Sequence, residues 1–199
     1  MPFGNASQSR LTLLKSYAFT VAFTALRLWL ALQWLKSGLA KITNPAWTDG
    51  TGRGLLSFWN TALTPTAHGT SAITYDWYRS FLQLLVDSHA ETWFAKVIAS
   101  GETAVGLGLL VGALVPMAAL GGLTMNMSYM LAGSASINPV LALAAGIVLL
   151  GREHSSVIGF DGLVGWLLRS RPAARFALRG LRREATVEHA PFADAQALA

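Results

Sequence analysis

Apolar residues gather along this chain in a few long runs, separated by polar stretches of very unequal length. Four runs read as membrane spans: roughly Tyr17 to Lys41, Thr92 to Leu114, Pro116 to Ala132 and Asn138 to Leu150. A crossing helix needs about 20 mostly apolar residues. The fourth run falls short of that, so it is expected to continue past Gly151, to start earlier or to tilt little. The pattern predicts an all-α integral membrane protein, a four-transmembrane-helix bundle. No internal repeat or low-complexity tract interrupts it.

Between the first two runs lies an aromatic-rich loop, 44–91, with Trp47, Phe58, Trp59, Tyr75, Trp77, Tyr78 and Phe81. Ile73, Trp77, Phe81, Leu84 and Leu85 recur at helical spacing and predict an amphipathic helix from Ile73 to Ser88. Gly54 to Ala62 predicts a shorter one, stopped before Pro65. Trp and Tyr favour the membrane–water boundary. The loop therefore reads either as a cap lying flat on the outer surface or as a lid over an opening into the bundle. Val157 to Leu168, with Trp166, is too short to cross and reads as an interfacial segment.

Charge orients this picture. Only 13% of the 199 residues are charged, about half the share usual in soluble domains. The net charge of +5 is concentrated in Arg169, Arg171, Arg175, Arg179, Arg182 and Arg183. Arg10 and Lys15 precede the first run. The loop has only Arg53 and Arg79 against Asp49, Asp76, Asp87 and Glu91. The positive-inside rule then places both termini in the cytoplasm, which an even number of spans requires. The expected organisation is one membrane domain over 1–199, multi-pass in the plasma membrane, with a basic cytoplasmic tail at 169–199. Beside a membrane segment, the tail reads as a topology signal and a contact for lipid phosphates, with no nucleic-acid partner. A signal peptide is the alternative for the N-terminus, with Arg10 and Lys15 before an apolar stretch, but no small-residue cleavage site follows.

Cysteine is absent, which excludes disulfides, thiolate metal sites and a cysteine nucleophile. Redox chemistry would need a bound cofactor, a diffusible quinone or a partner subunit. His68, His89, His154 and His189 are scattered without metal-ligand spacing, so no metal is expected. Asp161, in GFDG, reads as a turn residue.

Candidate chemistry lies inside the spans. Arg27, Trp34, Gly38 and Lys41 share one face of the first. Lys36 and Lys41 are expected to snorkel outward. Ser100, Ala104, Gly108 and Gly112 form a small-residue stripe on the second, suited to close helix approach, with Glu102 beside it. Gly122, Asn126, Tyr129 and Gly133 share a face of the third. Asn138 before Pro139 reads as a helix cap, though it could face the site. With each span centred in the bilayer, Arg27, Glu102 and Asn126 fall within about 7 Å in depth. An Arg27–Glu102 ion pair is therefore expected, joined by Asn126. Intramembrane ionisable groups suggest function, while a buried pair that only fixes packing is the structural alternative.

Four stretches resemble the DoxX/DoxD membrane family. RLWLALQWLKSGLAKITNPAW, from Arg27 to Trp47, resembles its first span, and GETAVGLGLLVGAL, from Gly101, its second. NMSYMLAGSASINP, from Asn126, and GFDG resemble its third-helix and C-terminal signatures. The loop NPAWTDGTGRG looks like the DoxD branch, which includes the membrane subunit of thiosulfate:quinone oxidoreductase. The resemblance implies a membrane subunit of a quinone-linked oxidoreductase, possible donors being thiosulfate or a related compound, working with a partner subunit or as a homo-oligomer. On this reading Arg27, Glu102 and Asn126 are catalytic, Trp34 and Tyr129 bind the quinone, and Arg27→Gln abolishes activity. The alternative is a non-catalytic scaffold or assembly subunit for a partner redox complex.

Overall fold

A computed structural model describes residues 4–65 and 72–170. Among these every regular element is a helix: α1 (Gly4–Ile42), α2 (Pro45–Thr48), α3 (Arg53–Leu63), α4 (Asp76–Asp87), α5 (Glu91–Val111), α6 (Val115–Leu131), α7 (Asn138–Leu150), α8 (Arg152–Ser155) and α9 (Phe160–Ser170). The arginine-rich tail beyond Ser170 and the residues His68 and His189 lie outside the described residues. By its contacts the chain divides into two compact units, Met1–Asp161 and Gly162–Ala199.

Two helices are long and apolar enough to cross a membrane: 12–42 of α1, with mean hydropathy 1.4, and α5, with mean hydropathy 1.5. They pack along each other, and α6 packs along both α5 and α7. The buried face of α1 is Arg27, Leu30, Ala31, Trp34 and Gly38, close to the face expected from spacing. Glycines set the α1–α5 distance. A Cβ on Gly38 would stand 2.6 Å from the Thr103 nitrogen, and one on Gly106 would stand 2.7 Å from the Leu35 nitrogen. No larger residue fits either place without moving backbone.

The expected stripe is used only at its far end: Ser100 and Ala104 are exposed, while Gly108 comes close to Ala118 of α6 and Gly112 to Arg27. Toward α1 and the core, α5 buries Ala95, Ala99, Glu102, Val105, Gly106 and Leu109. Period alone cannot say which of two small-residue rows faces the neighbour. The α1–α5 register decides it.

Residues 44–65 and 72–90 form a helical cap with its own core. Leu55, Trp59 and Ala62 of α3 pack with Ile73, Tyr78 and Leu82 and with Ala95 and Ala132 at the ends of α5 and α6. The Tyr78 hydroxyl donates to the Ser128 carbonyl at 2.8 Å. Burial pushes the Tyr78 phenol above the ordinary tyrosine value, the Ser128 side chain partly opposing it. The expected apolar stripe is split: Ile73 and Leu85 pack in the cap core with Tyr78 and Leu82, while Trp77, Phe81 and Leu84 are exposed. The apolar face of α4 is broad, and only the half of it nearer Leu82 meets the core.

α5 ends at Gly112, left-handed at φ +72°. α6 begins after Leu114 with no side-chain cap of its own. That cap comes from far along the chain. Asp161 accepts from the backbone nitrogens of Leu114 (2.8 Å) and Val115 (3.0 Å). Two of the amides left unpaired at the start of the helix are thereby satisfied. Asp161 is therefore a remote helix cap and not only a turn residue.

Candidate functional site

The expected Arg27–Glu102 ion pair does not form. Both residues are buried, Arg27 at 2% and Glu102 at 0% exposure, but they serve opposite ends of the α1–α5 pair. Arg27 lies at the α5–α6 turn, where its Nη2 donates to the Ile158 carbonyl at 2.8 Å and Asp161 attracts it electrostatically. A side chain at Gly112 would overlap the Arg27 guanidinium. Glu102 lies beside Gly38, about 16 Å further along α1 at about 1.5 Å per residue. Centring each span in the bilayer produced the wrong register, because the middle of α5 packs against the C-terminal part of α1, Thr103 beside Gly38 and Gly106 beside Leu35.

Glu102 is paired with Lys41. Lys41 Nζ donates to Glu102 Oε2 at 2.7 Å and to Ser37 Oγ at 2.8 Å. The Tyr129 hydroxyl donates to Glu102 Oε1 at 2.5 Å. Lys41 does not snorkel away from the bundle. It turns inward, 18% exposed at the side chain, with its ammonium 5.2 Å from the Trp47 ring centroid. Away from bulk water such a charge-assisted chain is held firmly.

Two chambers meet at this chain. The bundle chamber, about 430 Å³, is bordered by Trp34, Gln33, Asn126 and Leu141 as well as Glu102 and Tyr129. The cap-side chamber, about 260 Å³, is bordered by Lys41, Trp47, Phe58 and Ser136 together with the same Glu102 and Tyr129. Phe58 of α3 meets the Tyr129 ring edge-on at 6.0 Å. Two cap residues, Trp47 and Phe58, thus border the same chamber as the charged chain.

Four of the five expected site residues, Glu102, Asn126, Trp34 and Tyr129, border the bundle chamber, and Arg27 does not. Asn126 was expected to bond Glu102 and Arg27. It is fully buried, and neither its Nδ2 nor its Oδ1 has a partner among the described residues. Trp34 Nε1 is likewise buried without a partner. Asn138 is not a cap: it is the first residue of α7, its Nδ2 donating to the Ser134 carbonyl at 2.7 Å, and it borders both chambers. Lys41 and Ser37 are the site residues that sequence reasoning missed. The signal was present, since Lys41 continues the Trp34–Gly38 face. Its place near a span end argued for the other reading. His89 is an exposed residue, 3.5 Å from the buried Glu91 carboxylate.

No family model, curated protein or solved structure matches this chain.

Proposed function

We propose that this chain is a four-span membrane protein with both termini in the cytoplasm, and that its bundle chamber binds a quinone as part of a quinone-linked oxidoreductase. The outward surfaces support the membrane placement. On α7, Leu143 is 67% and Leu150 90% exposed, whereas Ala142, Ala144 and Ala145 are buried. Large apolar side chains outside and small ones inside suit lipid, and a soluble monomer rarely exposes so much apolar surface. Gly151 closes α7 and opens α8, which lengthens the short fourth span by a further turn.

The observation that carries the ligand reading is Asn126. A buried amide with no partner costs roughly 1–3 kcal/mol for each group left unmade. Asn126 and Trp34 line one chamber, and the Asn126 Nδ2 and Oδ1 and the Trp34 Nε1 are buried beside it without a partner among the described residues, the indole nitrogen against Gly122. A flat apolar ring with carbonyl or hydroxyl oxygens meets all three needs, in a volume ordinary for ligand sites. When bound, a quinone supplies reversible two-electron, two-proton chemistry. Asn126 and Trp34 would donate to its oxygen. Glu102, oriented by Lys41 and Tyr129, would be the carboxylate that holds or releases a proton there. The motif resemblance to DoxX/DoxD points the same way and makes thiosulfate, with a partner subunit, the first donor to try.

The test is purification in mild detergent, extraction of bound lipid for quinone, and titration with a short-chain ubiquinone analogue followed by tryptophan fluorescence. Co-purified quinone, and quenching that is weakened in Asn126→Ala, are expected. Repeated absence of both overturns the reading and favours the scaffold.

A further inference from the structure

The two chambers share Ser37, Glu102, Tyr129, Ile137 and Asn138 as a common wall. Glu102 is the one carboxylate on either lining. Its two oxygens are held differently. Oε1 is bound by Tyr129, which borders both chambers, and Oε2 by Lys41, which borders only the cap-side one. Lys41 also has a second place to rest. Its ammonium is already within cation–π range of the Trp47 ring, where a lysine is attracted to the ring face. A small swing toward Trp47 exposes Oε2 to the cap-side chamber without removing the ammonium from a favourable site.

We propose that Glu102 exchanges its proton with water on the cap side, and that Lys41 gates this exchange by moving between Oε2 and Trp47. The step moves one proton between water and the carboxylate, with no electron transferred and no carbon bond changed. Lys41 stays an ammonium throughout. The groups that face Glu102 are Lys41 and Ser37 from α1, Tyr129 from α6 and Asn138 from α7. Lys36 borders the bundle chamber, and the cap contributes the uncharged Trp47 and Phe58. Lys41 is the one cation paired with Glu102 among the described residues, so its departure is what uncovers Oε2 on the cap side. In this role Lys41 is a positioning residue. The inference deepens the reading above by giving the bundle chamber a side from which its protons come and go.

The experiment uses the full chain in phosphatidylcholine vesicles with a carbodiimide, which modifies carboxyl groups only in their protonated form. Adducts on Glu102 are counted by peptide mass spectrometry across pH, with Glu102→Gln as the blank. Lys41→Met is expected to raise labelling at neutral pH at least about tenfold, and Lys41→Arg to return it toward the native level. Phe58→Ala, which opens the cap-side wall while keeping the ion pair, is expected to raise the labelling rate several-fold. Unchanged labelling in both Lys41→Met and Phe58→Ala overturns the proposal. If Lys41→Met fails to insert, Phe58→Ala alone decides. Binding of the ubiquinone analogue, measured on the same samples, separates the two ideas: lost binding with the labelling pattern intact removes the quinone and leaves the proton route.

Discussion

At one end of the α1–α5 pair, Arg27 is buried against a backbone carbonyl and a helix-capping aspartate. At the other end, Glu102 is equally buried, but against the side chains of Lys41 and Tyr129 and beside two chambers. The first region is packed closed. Gly112, Gly159 and the guanidinium touch so tightly that a Cβ at Gly112 has no room. The second contains space, a titratable chain and amide and indole groups without partners. The contrast teaches that burial of a charge says little about its task. Buried donors without partners occur at both ends, Arg27 Nε and Nη1 at one and Asn126 and Trp34 at the other, so what decides is space: tight contacts mark a corner that holds the fold, and open volume marks a place for chemistry.

The sharpest way to break this comparison is at the closed corner. Gly112→Val should destabilise the protein by about 4 kcal/mol or more, since a β-branched residue must adopt a left-handed backbone and displace Arg27 as well. Thermal unfolding in detergent measures it, and a near-native melting curve would show the corner to be loose. Next is Arg27→Gln. It should cost about 1.5–3 kcal/mol through the lost charged hydrogen bond while leaving affinity for the quinone analogue unchanged. Loss of ligand affinity without loss of stability would return Arg27 to the site.

At the open end the order reverses. Asn126→Ala should weaken binding of the quinone analogue about tenfold, or about 1.4 kcal/mol, with little change in melting, while Glu102→Gln should weaken binding similarly and also lower the melting point, because it leaves the inward Lys41 ammonium without its carboxylate. Equal effects of Asn126→Ala on binding and melting would make the chamber structural. The smallest effect belongs to the cap. Tyr78→Phe should cost about 1 kcal/mol by deleting the hydrogen bond to Ser128. Because the Tyr78 pKa is raised on folding, its contribution is complete below the unfolded tyrosine value of about 10 and is lost as pH rises through the folded value. Native protein should therefore lose cap protection in alkaline hydrogen exchange sooner than Tyr78→Phe does.

Much of the architecture was legible in the residues. The third and fourth apolar runs match α6 and α7 within a residue or two, and the two loop helices appear as α3 and α4. Long apolar periods and the breaks at Gly112 and Pro139 act locally, so a sequence displays them. The candidate site was half legible: Glu102, Asn126, Trp34 and Tyr129 were chosen for their chemistry at span centres, and they do meet at one chamber.

By itself, then, the sequence determined which segments are helical, that two of them are long and apolar enough to cross a membrane, and that charged and amide side chains are carried into their interior. Only the tertiary structure decided who meets whom. Sliding one helix along another changes every partner without changing any period, so the choice of Lys41 over Arg27 for Glu102, and of Asp161 as the cap of α6, rested on the α1–α5 register and on a contact between segments far apart in the chain. Register is set by where Gly38 and Gly106 let two backbones close, and that is a property of pairs of helices, absent from either one alone.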